Sequence, residues 1–361
     1  MANPLISVPW DRCLLEPRRD RELESYARRH MGIVPPGIAY LSSRPWLVRT
    51  LISLSPDFGL LAHLDVKLAD LVGMAVSQAN SCRYCYAATR WMMRIRGLSE
   101  RRVDELERRH AAHEMDARTE AALEYARALS RAAPLPGTEA REKLLAAGFS
   151  PEEHRELVFV VGYTEFANRV NTLIAVPPRA IERASTGWRP SVMRAVSLPV
   201  LRRLYRKTPS VEIHAPESGP YAGLLQAFAG TSIGQRLQEV IADMSTATVL
   251  EPRRRALVFA VVAHALECEI SAAEARAMLP PEVSVDEFAE SLAHLGGAGV
   301  VPAEPDVARF VRDSIWYTPL AAQRQARALK ERLPEAEFVD VIGLASLANA
   351  LCRVAAGIAR P

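Results

Sequence analysis

A chain of 361 residues, 49% hydrophobic and 24% charged, is long enough for two domains of ordinary size and too apolar to be disordered. Its 45 basic and 42 acidic residues leave a net charge of only +3, which argues against a strong field for nucleic acid or a membrane surface. No basic stretch leads into an apolar run near residue 1, and no uncharged apolar run reaches about 18 residues, so neither a secretory leader nor a membrane span is expected.

Residues 1–40 read as an N-terminal extension. It is irregular apart from one charged, solvated helix over 18–29, and Pro35 and Pro36 interrupt it. From Arg44 onward the pattern is helical. Asp65 is placed to cap a helix running to about Ala79, with Leu68, Leu71, Val72, Ala75 and Val76 at helical spacing. Ser81 is expected to cap a second helix over 82–96 that Gly97 stops, and Ser99 to cap a third. A fourth is expected over 119–132 and a fifth over 153–176, ended by Pro177 and Pro178. No period-2 strand with flanking turn chemistry stands out, so the fold class is all-α. Residues 41–183 form one helical domain in this reading.

Residues 184–215 form a basic, proline-containing linker. Arg194, Arg202, Arg203, Arg206 and Lys207 give it a basic face, which suits either a membrane-surface or partner-binding helix or a solvated linker helix. Pro199 breaks the stretch and favours the second. Residues 216–361 look like a repeat of the first domain. Residues 64–72 align with 250–258, Cys268 falls opposite Cys82, and 156–162 and 167–169 resemble 338–344 and 348–350, the register drifting by five residues from the first match to the last. The repeat is degenerate: Ala256 stands opposite Asp70, and Ser271 stands where Cys85 would be. His264 lies on an apolar helix, as a core residue or one reaching across the interface, and Cys352 is a pairing candidate for Cys268.

Five cysteines, at 13, 82, 85, 268 and 352, are too few and too odd a set for a disulfide-stapled secreted fold. They point to a reducing, cytoplasmic setting, where a CxxC is catalytic or metal-binding. Cys82 and Cys85 share a helix face, and a cap just before them places both at the helix N-terminus. There the unpaired N–H groups and the dipole favour a thiolate, with a thiol pKa that can fall to roughly 3.5–7.5. One thiolate then attacks a peroxide oxygen or a disulfide sulfur, and the other resolves the product into an internal disulfide. A zinc site completed by His110 and His113 is a weaker alternative, because the gap fits no compact finger.

The stretch from Asp70 through Cys85, followed by Gly97-Leu98-Ser99 and later Asn168-Arg169, resembles the carboxymuconolactone decarboxylase-like, or alkylhydroperoxidase D-like, family. The resemblance implies tandem all-α domains, a homo-oligomer, no cofactor beyond the cysteine pair, and a thiol-dependent peroxidase or disulfide reductase. It implies a peroxide or disulfide substrate and a thiol reductant protein as partner. Asp70 takes the position of the family's acidic proton relay, and Cys82 and Cys85 match the redox pair. The family's histidine position holds Thr89, whose hydroxyl can hydrogen-bond a thiolate but cannot exchange a proton near neutral pH. Thr89 and Tyr84 are auxiliary candidates; Tyr86, Tyr163 and Glu165 are further substitutes for the missing imidazole. A non-catalytic binding or scaffold protein of the same fold is the rival reading, and lactone decarboxylation, which does not need a CxxC, the third.

Overall fold

The structure is a computed structural model that describes residues 5–131, 138–192, 194–195, 218–279 and 305–358. Every regular element among them is helical. In chain order they are α1 (Arg21–Met31), α2 (Ile38–Leu41), α3 (Pro45–Ser53), a 3-10 turn (Pro56–Phe58), α4 (Val66–Ala79), α5 (Arg83–Ile95), α6 (Glu100–Ala111), α7 (Ala117–Arg131), α8 (Thr138–Ala146), α9 (Pro151–Leu173) and α10 (Arg179–Ala184). Then follow α11 (Ala222–Ala227), α12 (Ser232–Thr246), α13 (Pro252–Ala265), α14 (Glu269–Ala277), α15 (Pro305–Asp313), α16 (Pro319–Lys330) and α17 (Glu335–Ile358). Most of the 192–207 basic stretch lies outside the described residues.

Local chemistry sets most of the helix starts. The Asp65 carboxylate accepts the N–H groups of Lys67 and Leu68, and Ser99 accepts that of Arg102, as the sequence predicts. The fifth expected helix begins earlier than 153, because Ser150 and Glu153 close a reciprocal capping box with Pro151 at the first helical position. The charged N-terminal helix is not simply solvated: Asp20 caps it, and Leu23, Ala27 and Met31 are buried on the core.

The core is organised around α9 and α17, the two longest helices, which pack along each other. Gly162 lets them close, since a Cβ there would sit 2.4 Å from Val354 Cγ2, and a Cβ on Gly357 would sit 2.6 Å from Val158 Cγ1. By length and composition α17 could cross a membrane, but 89% of its apolar window is buried inside the protein.

The contacts on these helices come in matched pairs. Glu156 on α9 accepts the backbone N–H groups of Ala62, His63 and Leu64 ahead of α4, while Asp340 on α17 accepts that of Val249 ahead of α13. Arg169 donates to the Ile315 carbonyl at 2.7 Å, and Arg353 donates to the Leu129 carbonyl. Both guanidiniums flank the buried Glu165 carboxylate. In these roles Asp340 answers to Glu156 and Arg353 to Arg169, whereas the apolar resemblance had put Phe338 and Ala350 there. Apolar helices resemble one another at several registers, whereas buried polar groups must find partners.

Candidate functional site

The cysteine pair sits on a sharp corner between α4 and α5. Ser81 takes a left-handed φ of 54°. Its N–H donates to the Gln78 carbonyl, and the next N–H, of Cys82, donates to the Ser77 carbonyl at 2.9 Å. That is a Schellman motif closing α4. It corrects the expectation that Ser81 caps the following helix: its backbone is committed to ending α4, so the cap passes to Cys82. The Cys82 sulfur accepts the Cys85 N–H at 3.3 Å. The corner before α14 is built alike, with Glu267 at φ 52°, the Cys268 N–H donated to the Ala263 carbonyl, and Cys268 in the N-cap position.

Both thiols of the pair are buried, Cys82 completely. Burial pushes the Cys82 thiol up. The Cys85 thiol, the Thr172 hydroxyl and the backbone N–H groups of Cys85 and Tyr84 outweigh it and hold Cys82 below the ordinary thiol value. Cys85 goes the other way: burial raises it strongly, and so do its hydrogen bond to Cys82 and the negative charge there. The two thiols are thus pushed in opposite directions, and Cys82, at the helix cap, gives up its proton more readily than Cys85. Asn171 on α9 donates to the Cys85 sulfur at 3.6 Å, and Asn168, one turn earlier, accepts from Ser77 on α4 at 3.1 Å. Of the Asn168-Arg169 pair picked out by the resemblance, Asn168 ties α9 to α4 ahead of the cysteine corner, while Arg169 turns to Glu165 and the Ile315 carbonyl.

Cys85 opens onto a cavity of about 160 Å³, whereas Cys82 lies behind it and is not part of its wall. The apolar part of the wall includes Met31, Ile38, Leu51, Ile52, Trp91 and Met92. The N-terminal extension is thus a wall of the site. The polar part includes Ser55, Asp57, Thr89, Tyr163 and Asn171. Thr89 reaches the cavity, but its hydroxyl donates to the Cys85 carbonyl one turn back at 3.1 Å. Tyr84 also lines the cavity, with its hydroxyl accepting the Gly37 N–H at 3.0 Å. Tyr163 donates to the Leu51 carbonyl at 3.1 Å. Tyr86 lies buried toward Glu107.

Asp70 is buried on α4 and ion-paired with Arg96, whose other arm donates to Asp57 at 2.6 Å. Burial raises the Asp70 carboxyl to about 7, Arg96 pulls it down less, and Asp57 and Asp65 push it up further. Asp70 is connected to the cavity through Arg96 and Asp57, one of the wall residues.

Several site residues carry no signal in the sequence. Asn171 and Thr172 stand on α9, far from the CxxC in sequence, Asp57 precedes α4 and Arg96 ends α5, and Tyr317, between α15 and α16, packs beside Thr172 and the cysteines with Arg169 5.7 Å above its ring. Other candidates go elsewhere. His110 is buried against Arg127, 3.0 Å away, and burial first, then Arg127, lowers it to about 4. His113 is exposed near Glu120. His264 faces solvent instead of the core or the interface, and Cys13 donates weakly to the Ile174 carbonyl at 3.6 Å.

Residues 57–128 match the model of the carboxymuconolactone decarboxylase family. The matched segment runs from the 3-10 turn into α7 and includes Asp70, both cysteines and Thr89. No curated protein and no solved structure matches the chain.

Proposed function

We propose that the protein is a thiol-dependent peroxidase acting on small organic hydroperoxides through Cys82 and Cys85. The observation that carries it is the division of labour at the corner: Cys85 faces a mostly apolar cavity, and Cys82, behind it, sits where a helix cap stabilises a thiolate. An apolar cavity of about 150 Å³ takes a benzene-sized body, so the volume suits an aryl or short alkyl hydroperoxide.

In the reaction, Cys85 passes its proton to the Cys82 sulfur and its thiolate attacks the terminal peroxide oxygen. The O–O bond breaks, and the leaving alkoxide is protonated by water. Cys85 is then a sulfenic acid and Cys82 a thiol. Cys82 attacks the Cys85 sulfur, the S–O bond breaks, and the departing hydroxide takes the Cys82 proton and leaves as water. A reductant protein with a dithiol restores the pair by exchange, which is the same chemistry a disulfide substrate would use. This cycle suits a reducing, cytoplasmic setting.

Mixing the reduced full chain with one equivalent of cumene hydroperoxide tests the reading. Expected are consumption of the hydroperoxide and a loss of about 2 Da confined to the peptide holding Cys82 and Cys85. A pair that stays fully alkylatable, with no consumption under a dithiol reductant, overturns it. One observation favours a second reading, a binding protein with little turnover: among the described residues, no histidine lines the cavity to supply a proton. In that case a small aromatic ligand binds the Cys82→Ser/Cys85→Ser variant as tightly as the parent, and neither turns over hydroperoxide.

We further infer that the two halves are tandem repeats, the second degenerate. Support comes from the matched corners at Ser81-Cys82 and Glu267-Cys268 and the reciprocal Arg169 and Arg353 contacts. On this reading the inter-repeat packing of α9 on α17 stands inside one chain. A homo-oligomer would add contacts to that packing.

A further inference from the structure

The second corner holds a thiol pair that the peroxidase reading leaves idle. Cys268 ends its Schellman turn in the N-cap position of α14, as Cys82 does before α5. One turn on, where α5 carries Cys85, α14 carries Ser271. The second sulfur comes from the opposite helix. Cys352 on α17 stands next to Cys268, close enough for each thiol to govern the other's proton, and Cys268 Sγ is 4.0 Å from the Cys352 carbonyl oxygen. Ser271 lies against both sulfurs and receives a hydrogen bond from the Tyr221 hydroxyl at 3.2 Å. Exposure divides the two roles: Cys268 is 8% accessible and Cys352 is 0%. An oxidant meets the first, and only a neighbour meets the second.

We propose that Cys268 and Cys352 are a second redox dithiol, which hydrogen peroxide closes into a disulfide bolting α14 to α17. The Cys268 thiolate attacks one peroxide oxygen and the O–O bond breaks. The departing hydroxide takes the proton of the Cys352 thiol and leaves as water. Cys268 is then a sulfenic acid. The Cys352 thiolate attacks its sulfur, the S–O bond breaks, and the second hydroxide is protonated by solvent. The charge state suits these roles. The hydrogen bond from Cys352 is the largest influence, and with the Ser271 and Ile270 N–H groups it outweighs burial and holds Cys268 at about 6, while burial holds Cys352 protonated. The two disulfides would differ in consequence. One within a single helical turn cross-links almost nothing, whereas one between residues 268 and 352 closes a long loop and restricts the unfolded chain. Oxidation at this site would therefore stiffen the second half, making it a stability switch and not a turnover site.

The test uses the full chain with Cys13, Cys82 and Cys85 all changed to Ser, so that its outcome is independent of the first pair. The reduced protein is treated with hydrogen peroxide, alkylated under denaturing conditions, and digested. Expected are a loss of about 2 Da per chain, a cross-linked peptide joining Cys268 to Cys352, and a rise in Tm that dithiothreitol reverses. Adding Cys352→Ser should abolish the cross-link and leave Cys268 to over-oxidise to the sulfinic acid. Free, fully alkylated thiols at both positions after peroxide treatment overturn the proposal, as does oxidation of Cys268 to sulfinic acid while Cys352 is still present.

Discussion

The corner at Ser81-Cys82 and the corner at Glu267-Cys268 share a backbone and differ in what surrounds the sulfur. Each ends a helix with a left-handed residue and hands the next N-cap to a cysteine. Around Cys82 the second thiol lies one turn along the same helix, an asparagine reaches it from α9, and a cavity opens beside it. Around Cys268 the same-helix position is a serine and the second thiol comes from α17. The difference teaches that the backbone corner alone does not make a cavity site. It makes a place where a cysteine sulfur takes the N-cap position. The neighbours decide whether the second thiol faces a cavity or comes from another helix.

The largest effect that would sharpen this contrast lies at Cys85. Cys85→Ser gives the first corner the Cys-x-x-Ser arrangement of the second, and hydroperoxide consumption should fall about 10³-fold or more in a coupled peroxidase assay. Unchanged consumption would break the comparison.

Asp70 and Ala256 hold matching positions, and only the first titrates. Folding holds a proton on Asp70 up to about pH 7, while the unfolded chain releases it near pH 4. Its contribution to stability is therefore complete below about pH 4 and is lost as pH rises through about 7. Across that window the parent should lose stability relative to Asp70→Asn by up to about 1.4 kcal/mol per pH unit, read from urea midpoints at pH 5 and pH 8. Parallel curves for the two proteins would show that Asp70 keeps its charge in the fold.

The helix crossing comes next. Gly162→Ala puts a Cβ against Val354, and the overpacking should cost about 1–3 kcal/mol in urea unfolding. The smallest effect sits at the corner itself. Ser81→Gly and Glu267→Gly each relieve a left-handed conformation that L side chains disfavour, and each should stabilise by up to about 1 kcal/mol. Unequal gains would show that one corner is held more firmly by its surroundings than the other.

Much of the fold was legible in sequence because its signals are local. Asp65 and Ser99 cap helices whose first N–H groups lie two or three residues away, so the caps can be named without tertiary knowledge. The same logic was available for Ser150 and Glu153, and reading from Glu153 alone lost the first turn of α9. Ser81 misleads for a physical reason. Serine is a good cap, but here the chain reverses within one residue, and the positive φ of that reversal removes Ser81 from the capping position. Of the site, the CxxC and its acidic neighbour were visible as spacing, while the role of Thr89 was not. A threonine on a helix can donate into a cavity or back to its own carbonyl, and its hydroxyl here takes the second course.

The sequence by itself determined the all-helical class, the caps at Asp65 and Ser99 and the cysteine spacing, because each depends on groups a few residues apart. Tertiary structure alone decided which sulfur faces the cavity, that Asp70 is buried against Arg96, that the N-terminal segment walls the site, and that Cys352 stands beside Cys268. Those facts depend on which helix surfaces meet. Burial and the partnering of buried charge settle that over hundreds of residues, and a local pattern carries no record of it.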